Sequence, residues 1–515
     1  MNAERQFDVI IVGTGAGGGT LARHLAPSGK RILLLERGPF LPRERENFDH
    51  TEVWIKNRYV AHDIWYDEKD RPFRPDIYYW VGGATKVFGV ALIRLRKEDF
   101  GVIHHYGGDS PAWPISYEDL EPYYTQAEQM YLVHGQRGLD PTEPPASGPY
   151  PYPPVSHAPR VSELAEELRA LGLHPFPMPL GVMLDEANPL ESRCIRCDIC
   201  SSYPCLVQGK CDAEVIGVRP ALQHPNVTLL TEHEVIRLET SPSGREVTRV
   251  IARHKGQLEA FQGNIVVLAA GAANTARILL LSANDKHPNG LANGSDQVGR
   301  NYMYHNIAVL VAFSLRKNDS RFQKTLGIND FYFGMPGFEF PMGNIQLLDK
   351  TNWQVLRGKG APWVPKSLLK LAASHALEFA LFSEDLPDPN NRVTLTRDGR
   401  IKLTYRPNNL EPMRRLQAKL KAVLNEIAAK RGLLHYNVFA VQRIPLSAVG
   451  HQLGTCRFGT DPKTSVLDPT CKAHELDNLY VADTSFFPSS GAVNPSLTAM
   501  ANALRVGDII LERLK

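Results

Sequence analysis

The 515-residue sequence predicts a mixed α/β fold: a doubly wound α/β unit around a parallel sheet, joined to a part built on antiparallel strands. A strand–glycine–helix–strand–acid order in residues 7–37 predicts the first part. An alternation around Asp398-Gly399, from Arg392 to Tyr405, predicts an antiparallel hairpin with a two-residue turn far from the N-terminus. From Met413, apolar residues recur at Leu416, Leu420, Val423, Leu424 and Ile427, which predicts a long helix with Gly432 as its cap.

The N-terminal segment reads FDVIIVGTGAGGGTLARHLAPSGKRILLLER. A strand from Val9 to Val12 meets Gly13-x-Gly15-x-x-Gly18, a helix follows, and a second strand from Ile32 to Leu35 ends at Glu36. Gly13 allows the tight turn, Gly15 lets backbone approach a pyrophosphate, and Gly18 lets helix and strand pack closely. The helix N-terminus then favours phosphate charge. Glu36 suits a carboxylate that accepts hydrogen bonds from a ribose diol, and its charge argues against a 2′-phosphate, hence against NADP. The pattern does not separate FAD from NAD.

Other elements follow along the chain. Asp140 to Pro159 is proline-rich, which opposes helix and central strand and predicts an ordered surface connection. Val161 to Gly172 reads as a helix. Leu479 to Val481 reads as a short strand ending at Asp483, and Pro495 opens a helix. The proline ring keeps Asn494 out of α geometry, so Asn494 sits at a corner. His451 stands just ahead of a glycine-containing turn.

Composition removes several classes. Hydrophobic residues at 43% and charged residues at 22% exclude a disordered, collagen-like or coiled-coil chain. A net charge of +3 gives no electrostatic case for nucleic acid or an anionic membrane. No run of about 18 apolar residues predicts a membrane span. Residues 8–12 lead into glycines rather than a cleavage site, so the reading is a cytoplasmic protein. Export carried by a partner subunit is compatible with it.

The glycine fingerprint, VGGATKVFG (Val81 to Gly89), VVLAAGAANTARILLLS (Val266 to Ser282), HQLGT (His451 to Thr455) and the NPSLT segment (Asn494 to Thr498) occur in one order. That order resembles the glucose–methanol–choline (GMC) flavoprotein oxidoreductases, and the resemblance covers nearly the whole chain. It is strongest to the bacterial branch with a cysteine-rich insertion, near pyranose and glycoside oxidases and dehydrogenases. The resemblance implies a Rossmann-like FAD-binding domain of discontinuous segments (1–110, 213–300 and 451–515). A substrate domain on an antiparallel sheet, from 111–212 with the insertion and from 301–450, interleaves with it, and the Arg392 to Tyr405 hairpin would be part of that sheet. It also implies FAD held by Gly13, Gly15, Gly18 and Glu36, by Gly82, Gly83, Ala84 and Thr85, by Val235 against the adenine, by Asp483, and by the segment of Pro495 and Thr498. His451 and Asn494 match the family's pair at the flavin, His451 as base and Asn494 as orienting donor.

There are departures. Phe88 stands where many members carry an asparagine that contacts the flavin. No histidine lies between Val81 and Arg94, so the FAD is expected to be noncovalent. Cys194, Cys197, Cys200 and Cys205 form C-x2-C-x2-C-x4-C, close to a ferredoxin run but with a longer last gap. Iron–sulfur, zinc, disulfides and plain thiols all stay open for them. The expected activity is oxidation of an alcohol on a sugar or glycoside. The electron acceptor would be oxygen, a quinone or a redox protein. The alternatives are a non-sugar alcohol, a non-redox lyase or photodecarboxylase on the same fold, and a silent electron-transfer subunit. Tyr302, Tyr304, Phe331, Tyr332 and Phe333 could stack on a sugar, although core packing is the simpler role.

Overall fold

The structure, a computed structural model, describes residues 6–359, 362–430, 438–448 and 450–515. Its first sheet is centred on Gln6–Val12, where Val9, Ile10 and Ile11 have no exposed surface. That strand runs parallel to Ile32–Leu35 on one side and to Gln257–Leu268 on the other. Val227–Leu230 continues the parallel order beyond Ile32–Leu35, and Leu479–Val481 pairs in parallel with Val266 to Leu268. The continuous apolar runs of these strands fit burial on both faces. Helix Ala16–Leu25 packs against the C-terminal helix Ser496–Arg513, so the two ends of the chain share one core. Glu234–Thr240 and Val247–His254 add an antiparallel extension to the outer half of Gln257–Leu268.

A second sheet is antiparallel. Its order is Val438–Arg443, Asn306–Phe313, Ala376–Ser383, Asn344–Leu347, Leu326–Ile328 and Phe176–Pro177. The predicted long helix is present as Leu410–Lys430 and buries the expected stripe, Met413, Leu416, Leu420, Val423, Leu424 and Ile427. The stripe forms one apolar cluster with Leu310, Ile345, Leu347, Phe379 and Leu381. Side chains alternate across a strand, and Gln346 is paired with Ala380 and Asn344 with Phe382. Gln346 and Phe382 therefore share the opposite face, away from the helix. Gly432, the expected cap, lies outside the described residues.

The predicted hairpin forms from Arg392–Leu395 and Ile401–Thr404, with two differences. Only Gly399 has a positive φ (77°), and the Thr396 amide donates to the Arg400 carbonyl. The loop thus has three residues, because Asp398 stays out of the left-handed region that a two-residue turn would demand. The hairpin also does not join the six-stranded sheet. It pairs with Trp65–Asp67, which carries Pro72–Phe73, in a separate four-stranded sheet. Arg277 Nε, on helix Ala272–Leu281, donates to the Gly399 carbonyl at 2.9 Å and ties that sheet to the first. The other expected pieces appear as helix Pro159–Arg169 and strand Leu479–Val481.

Candidate active site

The glycines of the first loop divide into two kinds. A Cβ on Gly13 would meet the Ala269 carbonyl oxygen at 2.4 Å, and one on Gly18 would meet the Gly13 carbonyl oxygen at 2.0 Å. Gly17, which the motif reading passed over, is tighter still, at 1.6 Å from the Ala482 carbonyl oxygen. These three glycines are packing requirements. Gly15 differs, since a Cβ there would meet nothing within 4 Å. It caps helix Ala16–Leu25 with no side-chain cap and no acid in the first turn. Open space in front of uncapped helix N–H groups is what a pyrophosphate needs, so the residues fit a dinucleotide.

The neighbouring residues complete that cradle. Glu36 Oε2 accepts from the Thr14 amide (3.0 Å) and the Thr14 hydroxyl (2.5 Å), and Oε1 accepts from the Gly38 amide (2.9 Å). A carboxylate has about four acceptor positions, and the Arg37 amide is a further donor beside these three. Burial pushes the Glu36 carboxyl up, and these donors oppose that rise. The Gly82 amide donates to Thr14 Oγ1, and a Cβ on Gly83 would sit 3.0 Å from Gly15 Cα. The second glycine segment therefore closes over the first. Thr85 donates to the Gly82 carbonyl and accepts from the Ala213 amide, while Ala84 is exposed on the turn. Val235 is buried just past His233, whose amide donates to the Glu36 carbonyl, so it lies on the segment that packs beside Glu36.

Asp483 and Thr498 have other partners. Asp483 accepts from the Gly271 amide, the Thr275 hydroxyl, the Ser485 amide and the Ser485 hydroxyl. All its acceptor capacity goes to clamping the start of helix Ala272–Leu281 to the end of strand Leu479–Val481. The buried Thr498 hydroxyl is paired with Tyr124 Oη at 2.7 Å. Pro495 directly precedes helix Ser496–Arg513 and places Asn494 at the expected corner.

His451 and Asn494 each pack on a residue of the sheet face opposite the long helix. The His451 ring stacks on Phe382, with centroids 5.7 Å apart and planes at 22°. Asn494 Oδ1 accepts from Gln346 Nε2 at 3.1 Å, which commits the oxygen and leaves the amide nitrogen as the donor of Asn494. Phe382 and Gln346 are diagonal neighbours on one face, a spacing of about 7–8 Å between Cα atoms. His451 Nδ1 is 2.9 Å from Nδ1 of the fully buried His305. Burial, then the neighbouring His305, pull the His451 ring down to about 3, so it is neutral at ordinary pH. Sequence reading missed His305, Gln346 and Phe382. They lie in the stretch from His305 to Phe382 where no motif is readable, and only the strand register reveals them.

The cysteine segment corrects an expectation. Among the described residues no group of three or more His, Cys, Asp or Glu side chains is arranged to hold a metal ion. All seven cysteines are free thiols. Cys194, Cys197, Cys200 and Cys205 line a cavity of about 20 Å³ walled by apolar groups such as Ile199, Val182 and Phe322. Burial pushes Cys194 up to about 11 and Cys200 up to about 12, the opposite of what thiolate ligands need. An iron–sulfur or zinc centre is therefore not supported. The segment is held instead by Lys210, which is 2% exposed. Its Nζ donates to the carbonyls of Phe88 (2.9 Å), Cys200 (2.6 Å) and Tyr203 (2.7 Å). Phe88 thus contributes its backbone rather than an amide side chain.

Tyr302, Tyr304, Phe331 and Tyr332 are buried core residues. Phe333 is the exception: with Asn329, Asp330 and Glu339 it lines an open cavity of about 510 Å³ apart from the His451–Asn494 pair.

Comparison with known proteins fits this geometry. Two family models described as GMC oxidoreductase match residues 178–307 and 387–503. The chain is 30% identical to 6'''-hydroxyparomomycin C oxidase of Streptomyces lividus, over 99% of this chain and 92% of that protein. It belongs to the GMC oxidoreductase family. A second relative, 2-methyl-1,2-propanediol dehydrogenase of Mycolicibacterium austroafricanum, is 29% identical over 99% of this chain and 96% of its own length. The solved structure of pyridoxine 4-oxidase from Mesorbium loti superposes with a TM-score of 0.68 at 18% identity, covering 98% of this chain and 99% of that one. That likeness supports the GMC fold. The chain is accordingly an FAD-dependent oxidoreductase acting on alcohol groups. No helix among its described residues is long and apolar enough to cross a membrane.

Proposed function

We propose that this GMC oxidoreductase oxidises an alcohol carbon of a sugar or glycoside, with His451 taking the hydroxyl proton and Asn494 holding the oxygen. One observation carries the reading. A neutral histidine packs on Phe382 and an amide with its nitrogen left as donor is held by Gln346, and Phe382 and Gln346 are neighbours on one sheet face. Noncovalent FAD would be held by the Gly13–Gly18 loop, Glu36 and the Gly82–Thr85 turn. When bound, FAD supplies a hydride acceptor for the carbinol carbon.

His451 is partly exposed and neutral, so it can take a proton without first losing one. The Asn494 amide donates to the substrate oxygen, and its strength as a donor matters most as negative charge builds there. Holding both groups around one carbinol is a positioning effect as well as an acid–base one. The aminoglycoside-oxidase relative supports a glycoside as the substrate class, and the near-zero net charge suits a small ligand.

The test is anaerobic bleaching of the purified holoprotein by D-glucose, D-fructose, methyl β-D-glucoside, paromomycin and 2-methyl-1,2-propanediol. A sugar or glycoside should bleach fastest, and His451→Ala should slow bleaching by about 100-fold or more. Bleaching by the diol alone would overturn the substrate class. Undiminished bleaching by His451→Ala would overturn the base.

A further inference from the structure

We infer that His305 is a positioning residue that fixes the tautomer of His451, placing the proton on Nδ1 and leaving the lone pair on Nε2 for the substrate hydroxyl. The inference rests on the reading of His451 as the base, and it follows from counting hydrogens along one chain of contacts.

His305 Nε2 lies 3.0 Å from the Ser490 carbonyl oxygen. A carbonyl only accepts, so Nε2 of His305 must carry a hydrogen. A neutral imidazole has a single N–H, so Nδ1 of His305 is bare and can only accept. Its contact is His451 Nδ1, at 2.9 Å, which must then be the donor. In neutral His451 that leaves Nε2 without a hydrogen. The second nitrogen of a histidine is set by what the first one bonds, and here a backbone carbonyl sets both rings in turn.

The surroundings hold this arrangement. Phe382 stacks on His451 and meets His305 edge-on (6.1 Å, 86°), and the two imidazoles are perpendicular (5.1 Å, 89°). The Ser490 hydroxyl donates to the Asp385 carbonyl at 3.0 Å and accepts from the Asp385 amide at 3.2 Å, which fixes the loop carrying the accepting carbonyl. His305 has no exposed surface, and burial holds it neutral, down to about 4. Glu384 is the nearby charged group, and it is engaged by the Ser110 hydroxyl (2.5 Å) and His105 Nε2 (3.1 Å) rather than by His305.

The arrangement serves the reaction. As the substrate O–H bond breaks, an N–H bond forms at His451 Nε2, and bound FAD would supply the acceptor for the hydride that leaves the carbinol carbon. His451 becomes an imidazolium, and its Nδ1–H bond to His305 becomes charge-assisted and stronger. That contact therefore stabilises the transition state more than the ground state. His305 cannot relay the proton further, because its other hydrogen faces a carbonyl. It orients and stabilises His451, as a carboxylate does in a hydrolase triad, but as a neutral partner.

The test pairs two variants with one direct measurement on the intact holoprotein. His305→Phe removes the acceptor and keeps a ring of similar size. His305→Asn keeps an oxygen where Nδ1 stood. With the panel alcohol that bleaches wild-type flavin fastest, His305→Phe should slow flavin reduction by about 100-fold with KM changed less than about threefold. His305→Asn should recover most of that loss. In ¹⁵N-histidine holoprotein, with His451 assigned by its absence in His451→Asn, the resonances should show a protonated Nδ1 and a bare Nε2. Wild-type reduction rates in His305→Phe, equal slowing in both variants, or a protonated Nε2 in the spectrum would each overturn the inference. If the variants fail to load FAD, the spectrum of the wild-type protein still decides it. Slow His451→Ala with fast His305→Phe sinks this inference alone, whereas fast His451→Ala sinks the base assignment beneath it.

Discussion

Thr14 gives both its backbone N–H and its hydroxyl to a single carboxylate oxygen of Glu36, at 3.0 and 2.5 Å. The same hydroxyl oxygen accepts the Gly82 amide. One side chain thus links Glu36 to the segment that closes over the first glycine loop. Thr14→Val keeps the shape and deletes both side-chain bonds. Hydrogen bonds to charged groups contribute about 1.5–3 kcal/mol, so FAD affinity should fall by roughly 10- to 100-fold. Fluorescence titration of apoprotein with FAD measures this, and unchanged affinity would separate Thr14 from the cradle.

Gly15 and Gly17 should respond to alanine in opposite ways. Gly17→Ala drives a methyl into the Ala482 carbonyl, where backbone must move, so little folded protein is expected. Gly15→Ala meets no protein atom, so the apoprotein should fold with a Tm within a few degrees of wild type. Its added methyl occupies the phosphate side, and FAD retention should drop at least tenfold. Thermal melts of apoprotein and flavin content of purified protein distinguish the two.

The low proton affinity of His451 has a consequence for rate. With its ring at about 3, the base is already deprotonated across the accessible range. The rate constant of flavin reduction should be flat from pH 8 down to about pH 5 and should fall only as pH approaches 3. Stopped-flow traces at saturating substrate would show it. A rate that halves near pH 6.5 would mean that His451 titrates like a free imidazole.

Buried Asp385 should make stability fall with rising pH. Its carboxyl is pushed up to about 8 by burial, from an ordinary 3.8. The folded chain therefore holds a proton that the unfolded chain loses near pH 4. Unfolding is favoured as pH rises between those values, and the loss levels off above about 8. Asp385→Asn removes this term and supplies a donor at the oxygen that lacks a partner. The decline of Tm between pH 5 and 9 should be clearly shallower in the variant. Some slope should persist, because Glu378 and Asp99 are each raised to about 7.

Lys210 offers a test of what replaces a metal in the cysteine segment. Lys210→Met removes the donor from three carbonyls, at about 1–3 kcal/mol for each buried acceptor left unpaired. The segment around Cys200 should become the first point of tryptic cleavage, with no change in bound iron or zinc. Metal analysis before and after cleavage, with mapping of the cut, checks both halves.

Much of the nucleotide end was readable in the residues, because its chemistry is local. Gly18 and Glu36 act through neighbours close in sequence and Gly13 through its positive φ of 96°, although Gly13 also packs on the distant Ala269, and strand Ile32–Leu35 and strand Leu479–Val481 appear where their apolar runs predict them. Gly17 was illegible because its reason, the Ala482 carbonyl, lies 465 positions away. The substrate end was legible only in its two motif residues. His305, Gln346 and Phe382 belong to ordinary-looking strands, and register rather than composition sets which face they take. Asp483 shows the converse: a strand-end acid that resembles a ligand spends all its oxygens on protein donors. The cysteine spacing misled for a similar reason. Spacing along a chain does not make four thiols converge, and here their loop is pinned by an ammonium group.

The closure of Gly17 against Ala482 bears on how the molecule is made. During synthesis the glycine loop emerges more than 450 residues before the strand that seats it, Leu479–Val481. All of that intervening chain must be made before the central sheet gains its parallel edge and helix Ser496–Arg513 covers helix Ala16–Leu25. Contacts so distant in sequence make folding slow and leave apolar strands uncovered meanwhile. Cofactor capture is then a late event in the life of the polypeptide, and a ribosome-stalled chain ending before Leu479 should hold no flavin.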